Sequence, residues 1–567
     1  LSGAGEERVV ASELLERRRE QMFPKLTPAQ VARLESHGRR IDMQAGQVLL
    51  QAGTRQTQVF VVVSGSIEVR THDQANELLI FVLTAGDFSG EMSALRRSAG
   101  LATLRVRESG IAIIIDTEQI RSLVQTDAEL SELLMRAFIL RRVALISSGG
   151  GEITLLGSRH SADSLRLREF LTRNNQPFHY TEVEDDPDIG GMFERLHISA
   201  SDVPVVICRG ANIFRNPSNH DIAECLGMNP QVDDSRVYDL LIIGAGPSGL
   251  AAAVYAASEG LQVRIVDTTA AGGQAGTSSR IENYLGFPTG ISGGALAGRA
   301  LSQAQKFGAA LSVAAEVISL DCTRRPYSIA LADGKTLRGR SVLIASGAQY
   351  RTLAIDNLSR FLGSGVYYAA THLESQLCKD EEIVIVGGGN SAGQAADFLA
   401  QSCRQVHLLV RAAGLAESMS NYLIRRIEQT ANITLHAHTQ ITGVEGSDRV
   451  AALTWFNSAD GKSERQPIGH MFVMTGATPN TAWLQDCVVL DEDGFVKTGS
   501  DLNPQDLAAS RWSLARAPHA METSLPAVFA AGDVRSQSVK RIASAVGEGS
   551  ICVQYVHRAL QELATPA

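Results

Sequence analysis

A chain of 567 residues with 52 Lys and Arg against 61 Asp and Glu has a formal net charge of −9, which excludes a general electrostatic affinity for nucleic acid. A hydrophobic fraction of 44% with 51 glycines suits packed α/β structure, and the length calls for several domains. No apolar run is long enough to span a bilayer, and the opening Leu1-Ser-Gly-Ala-Gly5 lacks a basic-then-apolar leader, so a soluble protein with no membrane partner is expected.

Residues 20–145 come first. The runs Gln58-Val-Phe-Val-Val-Val-Ser-Gly65 and Glu77-Leu-Leu-Ile-Phe-Val-Leu83, set off by Gly and Asp turns, predict a small β-barrel. Helical patterns beginning at Thr27 and Thr117 flank it. The segment Ala85-Gly-Asp-Phe-Ser-Gly90-Glu91-Met-Ser-Ala-Leu95 resembles the phosphate-binding cassette of cyclic-nucleotide-binding domains. That resemblance implies an effector site at Gly90 and Glu91, with Glu91 on a ribose 2′-hydroxyl and a following arginine on the cyclic phosphate. Leu101 stands where the arginine is expected, and Arg96, Arg97 and Arg105 are out of register. A domain that dimerises the chain or senses another ligand is the competing reading. The family's transcription factors append a helix-turn-helix, whereas here a Ser147-Ser-Gly-Gly-Gly151 linker follows, so nucleic-acid binding is not expected.

Residues 152–230 read strand, helix, strand, helix, strand, turn, helix. Glu152-Ile-Thr-Leu-Leu-Gly157 opens the segment, and Asp202-Val203-Pro204-Val-Val-Ile207 marks a strand entered through a cis-proline. The order resembles glutaredoxin and thioredoxin-like domains. Ser161-Ala-Asp-Ser164 occupies the place of that family's CxxC, and serine cannot form a mixed disulfide. The module is expected to dock a partner, to bridge its neighbours, or to serve as a spacer.

Two nucleotide-binding fingerprints follow. Leu240-Leu-Ile-Ile-Gly244-Ala-Gly246-Pro247-Ser248-Gly249 is an apolar strand running into GxGxxG and an Ala-rich helix, and Glu382-Ile-Val-Ile-Val-Gly387-Gly-Gly389-Asn390-Ser391-Ala392 is the GxGxxA version of the same turn. Glycines there permit a tight turn and let backbone N–H groups approach a pyrophosphate at a helix N-terminus. After the first, Leu261-Gln-Val-Arg-Ile-Val-Asp267 ends in an acid placed for an adenosine ribose. After the second, Gln405-Val-His-Leu-Leu-Val410-Arg411 ends in an arginine, which suits a 2′-phosphate. The first site therefore reads as FAD and the second as NADPH.

From Tyr238 onward the chain resembles the low-molecular-weight thioredoxin reductase family of pyridine-nucleotide flavoproteins. The matching segments are Gly272-Gly273-Gln274, Ile281-Glu-Asn283, Ile344-Ala-Ser-Gly347-Ala, Gly476-Ala-Thr-Pro-Asn480, Phe529-Ala-Ala-Gly532-Asp533-Val and Arg541-Ile542-Ala543. The resemblance implies FAD contacts at Gly273, Gln274, Asn283, Val317, Gly347, Gly532 and Asp533, and a helix opened by Arg541, Ile542 and Ala543 facing the flavin. It implies a discontinuous FAD domain (236–352 and 477–567) with an NADPH domain (353–476) inserted, and a homodimer. The expected fold is thus multidomain α/β: a cyclic-nucleotide-binding-type barrel, a thioredoxin-like domain, and two Rossmann-type domains.

One departure limits the activity. Where the family carries CxxC, this chain reads Gly365-Val-Tyr-Tyr-Ala369-Ala-Thr371-His372, so Ala369 and His372 replace the two cysteines. A site without paired sulfurs cannot donate to a disulfide, leaving Ala369, Thr371 and His372 as near-flavin candidates with no covalent catalytic side chain. The seven cysteines form no CxxC and no zinc spacing; Cys208 reads as core packing, and unpaired thiols together with a demand for NADPH predict a cytoplasmic location. The expected function is an NADPH-dependent flavoprotein oxidoreductase with an external acceptor, a small redox protein or small molecule, gated by the N-terminal domains. Members of the wider family without CxxC, the ferredoxin–NADP reductases of thioredoxin-reductase type, offer a precedent. A redox- or nucleotide-sensing signalling protein with little turnover, and a disulfide reductase using cysteines joined only by the fold, are the alternatives.

Overall fold

Strand periodicity builds the N-terminal module. In the computed structural model, β1 (Arg39–Met43), β2 (Val48–Leu50), β3 (Gln58–Asp73), β4 (Asn76–Leu83) and β5 (Thr103–Asp116) form one antiparallel sheet in the order β1-β5-β3-β4, with β2 on β5. The structure describes residues 19–54, 58–73, 76–90, 100, 102–147, 153–159, 161–184, 193, 198–208, 212–229, 235–416, 419–484 and 487–564. Alternation along β3 sends Phe60 and Val62 into the barrel with Ile67 and Leu104, while Val59 and Val61 pack outward against Leu34, Ile120, Leu134 and Phe138. Those partners lie on α1 (Pro28–Glu35), α2 (Thr117–Thr126) and α3 (Ala128–Ser147). A capping box of Thr27 and Gln30 starts α1.

Arg141 of α3 ties this module together. Its Nε donates to the Met22 carbonyl at 2.8 Å, and its Nη1 to the carbonyls of Phe88 at 2.8 Å and Gly90 at 3.1 Å. The guanidinium lies 4.5 Å from the Phe88 ring centroid, and burial pulls its pKa down to about 9, so it stays charged near neutrality. Gly90 is thus held by α3, whereas Glu91, Arg96, Arg97 and Leu101 lie outside the described residues.

The second module has β6 (Ile153–Gly157), α4 (Ala162–Arg173), β7 (His179–Glu182), β8 (Val205–Cys208), β9 (Asn212–Arg215) and α5 (Asn219–Cys225). Its sheet runs β7-β6-β8-β9, with β6 and β7 parallel and the other pairs antiparallel. The Val203–Pro204 bond is cis, as the sequence predicts. Residues 185–192 and 194–197, where the sequence predicts the second helix, lie outside the described residues. Ser161 accepts from the Ser164 N–H at 3.2 Å and caps α4, and the buried Ser164 hydroxyl accepts from the Ser158 N–H at 3.1 Å. Ser161 and Ser164 therefore open α4 and tie its first turn to the residue after β6.

The expectation of unpaired cysteines is corrected. Cys208 is bonded to Cys225, joining β8 to α5, and Cys322 is bonded to Cys487 across a separation of 165 residues. Neither pairing has a local sequence signal, because the fold alone brings the partners together. The argument for location drawn from unpaired thiols falls with it. Among the described residues, no helix is long and apolar enough to cross a membrane.

Two larger sheets organise the remainder, the first mixed and the second parallel. The first runs β12-β11-β10-β15-β14-β13, from β10 (Val237–Ile243), β11 (Val263–Val266), β12 (Ala310–Ser312), β13 (Val317–Asp321), β14 (Tyr327–Leu331) and β15 (Thr336–Ile344), with β13–β14 and β14–β15 antiparallel. Helices α6 (Pro247–Ser258) and α7 (Gly293–Lys306) cover it. The chain crosses through β16 (Ala348–Tyr350) to a second sheet of β17 (Val366–Tyr367), β18 (Glu382–Val386), β19 (Gln405–Leu409), β20 (Ile433–His436) and β24 (His470–Val473), ordered β17-β24-β18-β19-β20. Its helices are α8 (His372–Leu377), α9 (Asn390–Leu399) and α10 (Asn421–Gln429), and β21 (Thr439–Gly446), β22 (Val450–Asn457) and β23 (Lys462–Gln466) form a side sheet. The chain returns through β25 (Ala477–Pro479), antiparallel to β16, and adds β26 (Val528–Ala530) beside β15. The last helix, α11 (Ile542–Ala564), packs on α6 so closely that a Cβ at Gly549 would lie 2.1 Å from the Ser248 carbonyl oxygen.

Candidate dinucleotide and flavin site

Both glycine turns sit at the carboxyl ends of central strands, where open α/β sheets bind ligands. At the first, Gly244 has φ +106°, and a Cβ there would come within 2.1 Å of the Ala345 carbonyl oxygen on the neighbouring strand. A Cβ at Gly249 would reach the Gly244 oxygen at 2.0 Å, so this residue sets the helix-to-strand distance. Gly246 caps α6, with Pro247 as the first helical residue, and its own Cβ would meet nothing within 4 Å. Tight packing below and open space above the helix N-terminus is the room a pyrophosphate requires.

The segments expected to contact FAD gather around that opening. A Cβ at Gly273 (φ +54°) would be 3.1 Å from the Gly246 Cα, and one at Gly532 would be 2.6 Å from the Ser248 hydroxyl. The Gln274 amide donates to the Ala348 carbonyl at 2.5 Å, beside Gly347, which faces open space. The Gly532 N–H donates to Glu548 at 2.7 Å, and Lys540 donates to the Asp533 carbonyl at 2.8 Å. Burial raises the pKa of the half-buried Asp533 carboxyl. Ile542 begins α11, with Arg541 and Ala543 exposed at its entrance.

Three predicted residues are placed differently. The carboxylate of Asp267 accepts from the N–H groups of Ala245 at 2.8 Å, Thr269 at 2.8 Å and Ala270 at 3.0 Å, so it locks the glycine turn. Burial nevertheless raises its pKa. Val317 is a core side chain at the start of β13, two residues beyond Ala315, whose N–H donates to the Asp267 carbonyl at 3.0 Å. Asn283 is exposed, next to Glu282, which is bridged to Arg426 of α10 at 2.8 Å.

The second turn repeats the first. A Cβ at Gly387 (φ +147°) would be 2.4 Å from the Met474 carbonyl oxygen, while Gly389 caps α9 and faces open space. Ala392 is fully buried, and the Asn390 side chain accepts from the Ser420 N–H at 2.8 Å. Ser391 hydrogen-bonds Tyr350, whose phenol is raised by burial and by the charge of Asp533. Tyr350 therefore stands between the two turns, a placement no local motif announces. Arg411 is exposed past the end of β19.

Ala369 is half-buried, and Thr371 caps α8, its backbone N–H donating to Glu374 at 2.8 Å. Burial pushes the Glu374 carboxyl up. His372 is exposed, its Nε2 3.0 Å from the Gln376 amide nitrogen. Thr371 and His372 line a cavity of about 1620 Å³ with residues of all the modules, including Arg121, Arg173 and Ser278. Behind α8, Cys378 lies with its sulfur 3.6 Å from that of Cys403; both are buried, and contact with Cys403 together with burial drives the Cys378 thiol up.

Comparison with known proteins fits this geometry. The model of the pyridine nucleotide-disulphide oxidoreductase family matches residues 238–549, and that of the cyclic nucleotide-binding domain matches residues 40–127. A thioredoxin reductase of Listeria innocua is 29% identical over 58% of this chain and 96% of its own length. A thioredoxin reductase of Bacillus subtilis is 29% identical over 59% of this chain and 98% of its own. Among solved structures, thioredoxin reductase of T. acidophilum aligns with a TM-score of 0.51 at 29% identity, covering 58% of this chain and 100% of that one. The chain belongs to the pyridine nucleotide-disulphide oxidoreductase family, whose members use FAD and NAD(P)H, and is a thioredoxin reductase-like flavoprotein oxidoreductase with an N-terminal cyclic nucleotide-binding domain.

Proposed function

We propose that this chain oxidises NADPH and passes the electrons to an external acceptor without an internal dithiol. The observation that carries the reading is the pairing of two open dinucleotide turns, at Gly246 and Gly389, with alanine and histidine at Ala369 and His372. FAD held at the first turn supplies two-electron chemistry. The chain's residues bind and align. Gly244, Gly246, Pro247, Ser248 and Gly249 present the α6 N-terminus to the pyrophosphate, Asp267 faces the ribose, and Gly273, Gln274, Gly347, Gly532 and Asp533 border the rest. The positive end of α11, at Arg541, Ile542 and Ala543, opposes negative charge on the flavin.

Gly387, Gly389, Asn390, Ser391 and Ala392 would hold NADPH, with Arg411 on its 2′-phosphate. In this reading residues 236–352 with 477–567 are the FAD domain, 353–476 the NADPH domain and 152–230 a thioredoxin-like module. The acceptor is a small redox protein or a small molecule, the active form is a homodimer, and the barrel, through an effector at Gly90 and Glu91, regulates turnover. Reduction through cysteines joined by the fold is disfavoured, since the free pair Cys378 and Cys403 is buried.

Arg411→Ala tests the nucleotide assignment. Wild-type chain is expected to bind NADPH tighter than NADH, and the substitution is expected to erase about a tenfold preference by removing a charge-assisted contact. Fluorescence titration of both nucleotides checks it. Equal affinity in the wild type would remove the NADPH assignment.

A further inference from the structure

The thioredoxin-like module packs directly on the loops that frame the first glycine turn. Arg173, the last residue of α4, donates from Nη2 to the Gly273 carbonyl at 2.9 Å and from Nη1 to Glu169 at 3.3 Å. Its charge acts on the Asp267 carboxylate, and its Nε is buried with no hydrogen-bond partner among the described residues. Next to it, Asn174 donates to the Thr269 carbonyl at 3.0 Å. Farther along, Asn229 donates to the Val313 carbonyl at 3.0 Å and accepts its N–H at 2.9 Å. The module thus grips both loops that follow the β11 and β12 strand ends.

A guanidinium in this place has a chemical consequence. Gly273 abuts Gly246, the residue that opens the α6 N-terminus. A cation on the Gly273 carbonyl and within electrostatic reach of Asp267 therefore lies against the loop that frames the α6 N-terminus. The backbone there offers donors but no positive side chain of the Rossmann turn itself, as Gly244 to Leu250 contains none. Arginine matches a phosphate ester in charge and in donor geometry.

We propose that Arg173 is part of the FAD site, a cation supplied by the thioredoxin-like module that closes over the pyrophosphate–ribose end and retains the cofactor. The module, stripped of its redox pair, serves as a clasp on its neighbour. This rests on the reading of the first turn as the FAD site.

FAD titration of the full-length apo chain, followed by quenching of flavin fluorescence, tests both. Wild type, Arg173→Ala, the neutral, hydrogen-bonding Arg173→Gln and Asn174→Ala are compared after circular dichroism has established folding. The expected result is a dissociation constant raised about tenfold or more in both Arg173 variants, because a charge-assisted contact is lost, with Asn174→Ala within about twofold of wild type. If Arg173→Ala does not fold, Arg173→Gln alone decides. An Arg173 variant within about twofold of wild type, or Asn174→Ala weakening FAD equally, would overturn the proposal. Wild-type chain that binds no FAD would instead remove the cofactor reading beneath it.

Discussion

Gly244→Ala is expected to yield a chain that loses FAD and about 3 kcal/mol or more of stability in its reductase half. The added Cβ would lie 2.1 Å from the Ala345 carbonyl oxygen, and the backbone there has φ +106°. Neither neighbour yields easily, because Gly244 and Ala345 follow paired central strands β10 and β15. Gly246→Ala separates the two consequences. With no atom within 4 Å of the new methyl group and an ordinary φ of −70°, stability should change by less than about 1 kcal/mol, while FAD affinity falls as the methyl group enters the cradle. Thermal unfolding and flavin content of the two variants check the pair. Normal FAD content in Gly244→Ala would refute the steric account.

The second large effect is expected at Glu522, which is fully buried ahead of β26. Its carboxylate accepts from Arg516 at 2.7 and 3.2 Å, from the His519 N–H at 3.0 Å and from the Ala527 N–H at 3.0 Å. Arg516 also binds Glu562 at 2.8 Å, so the network staples the segment entering β26 to the end of α11. Glu522→Ala removes the acceptor, leaves two backbone donors unmatched and strips the Arg516 guanidinium of one of its two carboxylates. A loss of about 3–5 kcal/mol is expected in denaturant unfolding, with weaker flavin retention, because β26 leads into Gly532 and Asp533. A loss under about 1 kcal/mol would show that the buried network is dispensable.

What the sequence discloses and what it withholds divide along a physical line. Features whose cause is local are readable: glycines that must turn a strand into a helix, the proline that enters β8 in cis, and the strand alternation that splits Phe60 from Val61. The match of family models to residues 40–127 and 238–549 agrees with the resemblances drawn from the cassette and the two fingerprints. Features made by distant chain segments are not readable. Cys322 and Cys487 meet only because β13 and the returning chain lie side by side. In the sequence Asp267 offers only its side-chain chemistry toward a ligand, yet three backbone donors, fixed by the turn, claim part of it. Arg173, Tyr350, Glu522 and Glu548 carry no motif, since each acts on a partner brought near by packing between modules or across the returning chain.

The measurement that tests the central claim most directly is an anaerobic titration of the purified holoprotein with NADPH, following the flavin absorbance. A flavin with no dithiol in electronic contact takes up two electrons, so the account predicts complete bleaching at one equivalent of NADPH per chain. Bleaching that requires two equivalents would contradict it, because a disulfide, Cys208–Cys225 or Cys322–Cys487, would then be accepting electrons. A flavin that NADPH does not bleach would contradict it from the other side, leaving a protein that binds dinucleotides without transferring hydride.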